Sequence, residues 1–409
     1  MDTPVGHLSV RHPRLFLILA VGAFLFACIL IWLAWTETVA TIEAASVFDN
    51  SLEADHFIVQ AKPPQIKAKG LYLTAYSAGS AKKIDEIIGL LEKTELNAVV
   101  IDIKDYSGKV LYDSKIKLVN DLKIDENRLG DVKSLVKKLH DKNIYVIARQ
   151  TVFQDPILAE KKPEWAIKNK VGGLASAKQG GDGLWRDYKG LAWVDPSKKE
   201  VWSYNVAIAK EAVSFGFDEI NFDYVRFPSD GNMAQAVYAA QRRVSMDGTR
   251  HDSVESKKYE VMKKFYHFLN IKLSGEPAWL SLDMFGFVME KNGEDDMRIG
   301  QRIADAVDEV DYISPMMYPS HYPGGHLGLK NPAQYPARVI ENGMKMGAPK
   351  FEGKRAKIRP WVQAFNLGAV YDAQKIREQI TEIEKYTDAG WLMWNASNRY
   401  NDSGLEKIN

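Results

Sequence analysis

Apolar residues along most of the chain fall into short runs of about six, separated by longer stretches in which they recur every three or four positions. The short runs are rich in β-branched and aromatic residues, which is typical of strands, and the longer stretches have the spacing of amphipathic helices. Strands are predicted at 70–75, 98–103, 144–149, 219–224, 279–284, 312–317, 358–363 and 390–395. The pattern therefore predicts eight strands that alternate with helices.

Near-continuous apolar strands separated by helices favour a parallel sheet that is covered on both faces. Eight such units predict the fold class α/β and a closed (β/α)8 barrel, the TIM barrel. An open, doubly wound sheet is the alternative, but no glycine-rich phosphate loop follows the first strand,. Because only 14 residues follow the eighth strand, we expect a short last helix or another segment covering that face.

The N-terminal region carries a different pattern. Residues 15–35 form an uncharged apolar run of 21 residues, long enough to cross a hydrocarbon core of about 30 Å as one transmembrane helix. Arg11 and Arg14 precede it, whereas residues 36–61 contain five acidic residues and no Lys or Arg. The positive-inside rule then places the N-terminus in the cytoplasm and the remainder outside. A cleaved signal peptide is the alternative, which would make the protein secreted.

These patterns divide the chain into a cytoplasmic tail at 1–14, an anchor at 15–35, a linker at 36–65 and the barrel at 66–409. The 54 Lys and Arg residues nearly balance the 53 Asp and Glu residues, so no electrostatic footprint for nucleic acid is present. The single cysteine, Cys28, lies in the anchor and excludes an internal disulfide framework. The lipid bilayer is thus an expected partner, and nucleic acid is not.

Carboxylates inside apolar strands are the main candidates for chemistry. Burying an unpaired carboxylate is costly, and the C-terminal ends of barrel strands are where active sites form. We expect Asp223 to act as nucleophile or base, with Arg226 holding it ionised, and Asp283, which has no cation nearby in sequence, to act as general acid. Asp102 is a substrate-binding candidate and a less favoured catalytic one. Each carboxylate also has a structural alternative: an Asp–Arg pair for Asp223, a loop cap for Asp283 and an internal ion-pair cluster for Asp102.

Aromatic and cationic side chains near the predicted strand ends complete the candidate site. Flat apolar rings with a polar edge suit the faces of pyranose sugars, although a tryptophan can equally be a core residue. The predicted substrate-binding residues are Asp102, Arg149, Trp193, Arg226, Tyr318, Trp361 and Trp394. They predict a carbohydrate ligand.

No metal or cofactor is expected, because the chain lacks an H-x-H or H-E-x-x-H pattern,. His321 and His326 keep a metal-dependent barrel hydrolase open as an alternative. A second alternative is a catalytically inactive barrel that binds polysaccharide. The absence of a G-x-S-x-G motif argues against a serine nucleophile.

The chain contains the sequence blocks NAVVIDIKD at 97–105, VIAR at 146–149, FQDP at 153–156, WVDP at 193–196, GFDEINFDYVRFP at 216–228 and SPMMYP at 314–319. These blocks resemble the DUF4015 family of glycoside-hydrolase-like TIM barrels. The resemblance covers most of residues 66–400 and implies hydrolysis of a glycosidic bond. It supports Asp223, which ends the fourth strand, whereas Asp283 rests on the strand pattern. The sequence thus predicts a membrane-anchored, extracytoplasmic glycoside hydrolase acting on a polysaccharide or cell-wall glycan.

Overall fold

Parallel strands close into a barrel in the computed structural model, which describes residues 61–170, 182–239 and 258–408. The eight barrel strands within these residues are β1 (Ala68–Leu73), β2 (Ala98–Lys104), β3 (Tyr145–Thr151), β4 (Glu219–Asp223), β5 (Trp279–Phe285), β6 (Tyr312–Met316), β7 (Trp361–Gln363) and β8 (Gly390–Trp394). Each strand pairs in parallel with the next, and β8 pairs with β1. The predicted (β/α)8 barrel is confirmed, and the open sheet is wrong.

The seventh strand is interrupted. Lys357–Ile358 pairs with β6, whereas Trp361–Gln363 pairs with β8, and Trp361 meets β6 at a single position opposite Met316. Pro360 lies at the break and has no N–H to donate to a strand ladder. Its carbonyl instead accepts from the N–H of Leu392, at 2.9 Å. The barrel is therefore closed between β6 and β7 by few backbone pairs.

Helices cover the outside of the barrel. Those in the described residues are α1 (Ala75–Ala78), α2 (Ala81–Leu91), α3 (Lys117–Leu122), α4 (Val132–His140), α5 (Pro156–Lys161), α6 (Lys199–Ser214), α7 (Lys258–Leu273), α8 (Ile303–Ala306), α9 (Pro336–Gly347) and α10 (Ala373–Glu384). Ser80 and Asp131 each cap a helix by accepting from a backbone N–H in its first turn,. Two long connections, after β3 and after β4, are joined by the antiparallel pair Lys168–Asn169 and Ala236–Val237.

No helix follows β8 within the described residues up to 408. The C-terminal segment runs back along the barrel, where the N–H of Glu95 donates to the carbonyl of Glu406 at 2.8 Å. Arg377 Nε donates to the carbonyl of Gly404 at 2.8 Å, and Leu405 joins the hydrophobic core. Of the two expected arrangements, a short last helix or another segment, the described residues show the second.

The inside of the barrel is polar over much of its height. Because strand side chains alternate between the two faces, every second residue of each strand points inward. At the N-terminal end of the strands, Glu219 and Arg359 form a fully buried ion pair, and the Tyr145 hydroxyl donates to Glu219 at 3.1 Å. A second polar cluster lies at the opposite end and forms the candidate site.

The predicted anchor at 15–35 and most of the predicted linker lie outside the described residues. Among the residues that are described, no helix is long and apolar enough to cross a bilayer. Lys62 and Pro63, at the end of the predicted linker, contact the N-terminal end of the barrel. Lys62 Nζ pairs with Asp311 at 3.2 Å, and the Trp279 indole N–H donates to the carbonyl of Pro63 at 2.9 Å.

Candidate active site

One guanidinium joins three carboxyl groups at the C-terminal end of the barrel. Arg149 projects from β3, between Asp102 on β2 and Asp223 on β4. Its Nη1 donates to Asp102 Oδ1 at 2.5 Å, and its Nη2 donates to Asp223 Oδ2. Its Nε lies 3.7 Å from Asp283 Oδ2 on β5. The parallel register of adjacent strands therefore assembles residues that are far apart in sequence.

Asp223 is bound by two hydrogen-bond donors at the point where β4 ends. Its Oδ1 accepts from the N–H of Tyr224 at 2.5 Å, and its Oδ2 is paired with Arg149. Tyr224 has a φ of 53°, a left-handed conformation that is strained for a bulky residue. The expected pairing of Asp223 with Arg226 is wrong, because the left-handed turn at Tyr224 directs the Arg226 guanidinium to Phe227 and Ser229.

Asp283 has a different environment. Its Oδ1 accepts from the indole N–H of Trp361 at 2.7 Å and from Asn221 Nδ2 at 3.0 Å. Burial, followed by the negative charge of Asp223, raises the pKa of Asp283 to about 8,. Burial and this charge therefore favour the protonated form of Asp283. Because Oδ1 already accepts two hydrogen bonds, a proton on this carboxyl would lie on Oδ2.

Asp102 lies behind Arg149. The Tyr72 hydroxyl donates to its Oδ2 at 2.5 Å, and the Tyr72 ring stacks on Trp394 with centroids 3.9 Å apart. Burial raises the pKa of Asp102 to about 6, against the opposing charge of Arg149. These contacts hold Asp102 in place against the guanidinium of Arg149.

A cleft of about 970 Å³ opens above this cluster. Of the nine predicted site residues, those that line it are Arg149, Asp223, Arg226, Asp283, Tyr318, Trp361 and Trp394. Asp102 and Trp193 are not among the described residues that line the cleft. Trp193 lies behind Tyr224, with ring centroids 5.9 Å apart, and its indole N–H donates to Asp187.

This arrangement of two carboxyl groups at the mouth of a barrel agrees with the comparison of the sequence with known families. The model of the family DUF4015, described as "Putative glycosyl hydrolase domain", matches residues 70–400. The chain belongs to the DUF4015 family. The resemblance seen in the sequence blocks is confirmed, and family membership assigns the chain to the glycoside hydrolases. No curated protein matches it.

Two solved structures support the fold of this DUF4015 domain, and a third is similar in sequence over about half of the chain. The glycoside hydrolase domain of PgaB (BpsB) from Bordetella bronchiseptica is 12% identical, with a TM-score of 0.56, over 80% of this chain and 94% of that chain. An exo-β-N-acetylglucosaminidase from Vibrio harveyi is 11% identical, with a TM-score of 0.50, over 83% of this chain and 51% of that chain. A hypothetical protein from Ruminiclostridium thermocellum is 37% identical over 52% of this chain and 96% of that chain, with a TM-score of 0.43.

Several cleft residues of the DUF4015 domain escaped the sequence prediction. They are Phe285, Phe287, Phe365, Asn366, Leu367, Asn395 and Arg399. All of them fall within a few residues of the C-terminal ends of β5, β7 and β8, so proximity to a strand end is the signal that could have found them. Asn221 was also missed, although a polar residue two positions before Asp223 shares its inward face.

The two histidines of the connection after β6 lie in different surroundings. His321 lines the cleft, and burial lowers the pKa of its imidazole. His326 Nε2 lies 3.3 Å from Glu290 Oε1, and its ring packs against Phe287 and Tyr322. The described part of the DUF4015 domain contains no group of three His, Cys, Asp or Glu side chains that could hold a metal ion.

Proposed function

We propose that this protein is a membrane-anchored, extracytoplasmic glycoside hydrolase that cleaves a polysaccharide or cell-wall glycan by carboxylate acid/base catalysis. Asp283 is the general acid, and Asp223 is the nucleophile or base. One observation carries the proposal: two neighbouring carboxyl groups have different environments. Asp223 is bound by the guanidinium of Arg149, whereas Asp283 is buried and accepts hydrogen bonds from the neutral side chains of Trp361 and Asn221. A difference of this kind is how glycosidases assign an acid and a base to chemically identical groups.

The cleavage step follows from these environments. The proton on Asp283 Oδ2 passes to the glycosidic oxygen as the bond from that oxygen to the anomeric carbon breaks. Asp223 either bonds to the anomeric carbon or removes a proton from the water that attacks it. Both carboxyl groups contact the guanidinium of Arg149, which limits their separation to below the upper limit of about 9.5 Å for glycosidase pairs.

Arg149 is a positioning residue in this proposal. The carboxyl groups of Asp102 and Asp223 both pair with its guanidinium. The guanidinium binds Asp223 directly, whereas its Nε lies 3.7 Å from Asp283, which is longer than a hydrogen bond,. The arrangement keeps a protonated acid beside a fixed carboxylate.

The shape of the cleft supports a sugar substrate. Tyr318, Phe287 and Trp394 line it and offer ring faces against which a pyranose can pack. The uncharged run at 15–35, with arginines before it and acidic residues after it, supports the membrane anchor and the extracytoplasmic location.

The test is hydrolysis of a glycan panel by the full chain and by Asp223→Asn and Asp283→Asn. Each variant should lose at least about a thousandfold in kcat while still binding the glycan. Asp308→Asn is the matched control, because this carboxylate is exposed and pairs only with Lys354. Wild-type binding without turnover on the whole panel would instead indicate an inactive sugar-binding barrel.

A second readout separates the two roles. A dinitrophenyl glycoside needs no proton on its leaving group, so Asp283→Asn should keep much of the wild-type kcat/KM on it, because kcat/KM reports the step in which this group leaves. Asp223→Asn should stay inactive on the same substrate. Equal loss in both variants would contradict the assignment of Asp283 as general acid.

A further inference from the structure

Arg226 is a buried cation in the wall of the cleft. Its side chain is 9% exposed and lies between the rings of Trp193, Tyr224 and Phe285, at 5.1, 5.2 and 4.7 Å from their centroids. Only its Nη1 has hydrogen-bond partners in the described residues, the Phe227 carbonyl at 3.0 Å and the Ser229 hydroxyl at 3.3 Å. Its Nε and Nη2 therefore remain available to a molecule in the cleft.

The carboxylates around Arg226 do not form an ion pair with it among the described residues. Asp223 is bound by Arg149, and both oxygens of Asp187 accept other hydrogen bonds. Asp230 is exposed and acts on Arg226 only through longer-range charge. Burial accordingly lowers the pKa of the Arg226 guanidinium, and a buried charge without a counter-ion is costly.

A second cation faces the same space. Arg399 follows β8, lines the cleft and is exposed, and within the described part of the chain it forms no ion pair. β4 and β8 lie across the barrel from each other, four strands apart in either direction. Asp223 and Asp283 are the carboxyl groups that line the cleft, together with the guanidinium groups of Arg149, Arg226 and Arg399. The cleft lining thus has more cationic groups than carboxyl groups.

We propose that the substrate is an anionic glycan, in which a carboxylate on the sugar pairs with Arg226 and a carboxylate further along the chain pairs with Arg399. This inference rests on the proposed function. The planar guanidinium fork matches a carboxylate in geometry, and three aromatic rings fix the plane of Arg226. The bound carboxylate is the counter-ion that the protein itself does not provide.

Two sugar carboxylates have this chemistry, and matched pairs of glycans distinguish them. One pair is oligogalacturonate and its carboxyl-reduced neutral form, in which the carboxylate is part of the sugar. The other is peptide-free glycan strands containing muramic acid and their carboxyl-reduced form, in which the carboxylate is an ether substituent. Binding is measured with the full-chain Asp283→Asn variant, which preserves the charge of the site without turnover.

The anionic member of at least one pair should bind at least tenfold more tightly than its neutral form. Arg226→Gln should reduce that preference to threefold or less, whereas Arg226→Lys should retain part of it. Arg338→Gln is the control, because Arg338 donates to the Leu327 carbonyl and does not line the cleft. If Arg226→Gln fails to fold, Arg399→Gln gives the same readout from an exposed position.

Equal binding of anionic and neutral glycans, or no binding of either anionic glycan, would overturn the inference. A preference that Arg226→Gln and Arg399→Gln leave unchanged would do the same. Turnover of a neutral glycan without charge preference overturns it while the proposed hydrolase activity stands. Carboxylate-selective binding without turnover by the wild type instead supports the inference and overturns the proposed function.

Discussion

The protonation of Asp283 has a consequence for stability that needs no substrate. Burial and the charge of Asp223 raise the pKa of Asp283 from its ordinary value near 3.8 to about 8 in the folded protein. The folded state therefore holds this proton more tightly than the unfolded chain. The tighter binding of this proton by Asp283 contributes to the free energy of unfolding. This contribution is fully present below pH 3.8 and is lost as the pH rises through about 8.

Asp283→Asn removes this titration and retains the shape of the side chain. The amide oxygen can still accept from Trp361 and Asn221, but the group cannot ionise. One proton changes the free energy of unfolding by about 1.4 kcal/mol per pH unit. Between pH 5 and pH 8, the stability of the variant relative to wild type should therefore rise by up to about 4 kcal/mol.

The assay is urea denaturation of the full chain at half-unit pH steps from 5 to 8, for wild type and Asp283→Asn. Titrating groups that do not interact with Asp283 contribute equally in both proteins, so their effects cancel in the difference. Asp308→Asn, a change to an exposed carboxylate, should give a difference that does not vary with pH. A flat difference for Asp283→Asn as well would refute the assignment of Asp283 as a protonated acid.

Two further substitutions test the site and the barrel. Trp361→Phe removes a hydrogen bond that favours the ionised form of Asp283, which should raise the pKa of this carboxyl. The alkaline limb of the pH profile of kcat/KM should therefore shift to higher pH by about 0.5 to 1 unit. An unchanged limb would show that the indole N–H does not set the acidity. Gly390→Ala should lower the free energy of unfolding by about 3 kcal/mol or more, measured by urea denaturation. At φ 89° its Cβ would lie 2.0 Å from the Ala68 carbonyl, whereas Gly353→Ala, at φ 70° in open space, should lose less.

The strands were predictable because a buried parallel strand needs apolar residues on both faces. The predicted run at 98–103 is observed at Ala98–Lys104, and that at 219–224 is observed at Glu219–Asp223. Carboxylates within such runs are conspicuous for the same reason. Asp223 and Asp283 could therefore be located from the sequence alone, each on the strand where it was placed.

The partners of these carboxylates could not be predicted in the same way. Arg226 is close to Asp223 along the chain, but Arg149 reaches it from the neighbouring strand. That contact depends on the register between β3 and β4, which no local pattern encodes. The protonation of Asp283 likewise depends on enclosure by residues from other strands, such as Trp361. The loop residues of the cleft are positioned by tertiary packing, which the strand pattern does not contain.

The interruption of the seventh strand links the acidity of the site to local opening of the barrel. Few backbone pairs join β6 to β7, and segments with few such bonds are expected to open at the lowest free energy. Trp361, whose indole N–H binds the acid, lies on that boundary. An opening there would release a hydrogen bond from Asp283 and admit solvent. The acidity of Asp283 is therefore a property of the closed barrel.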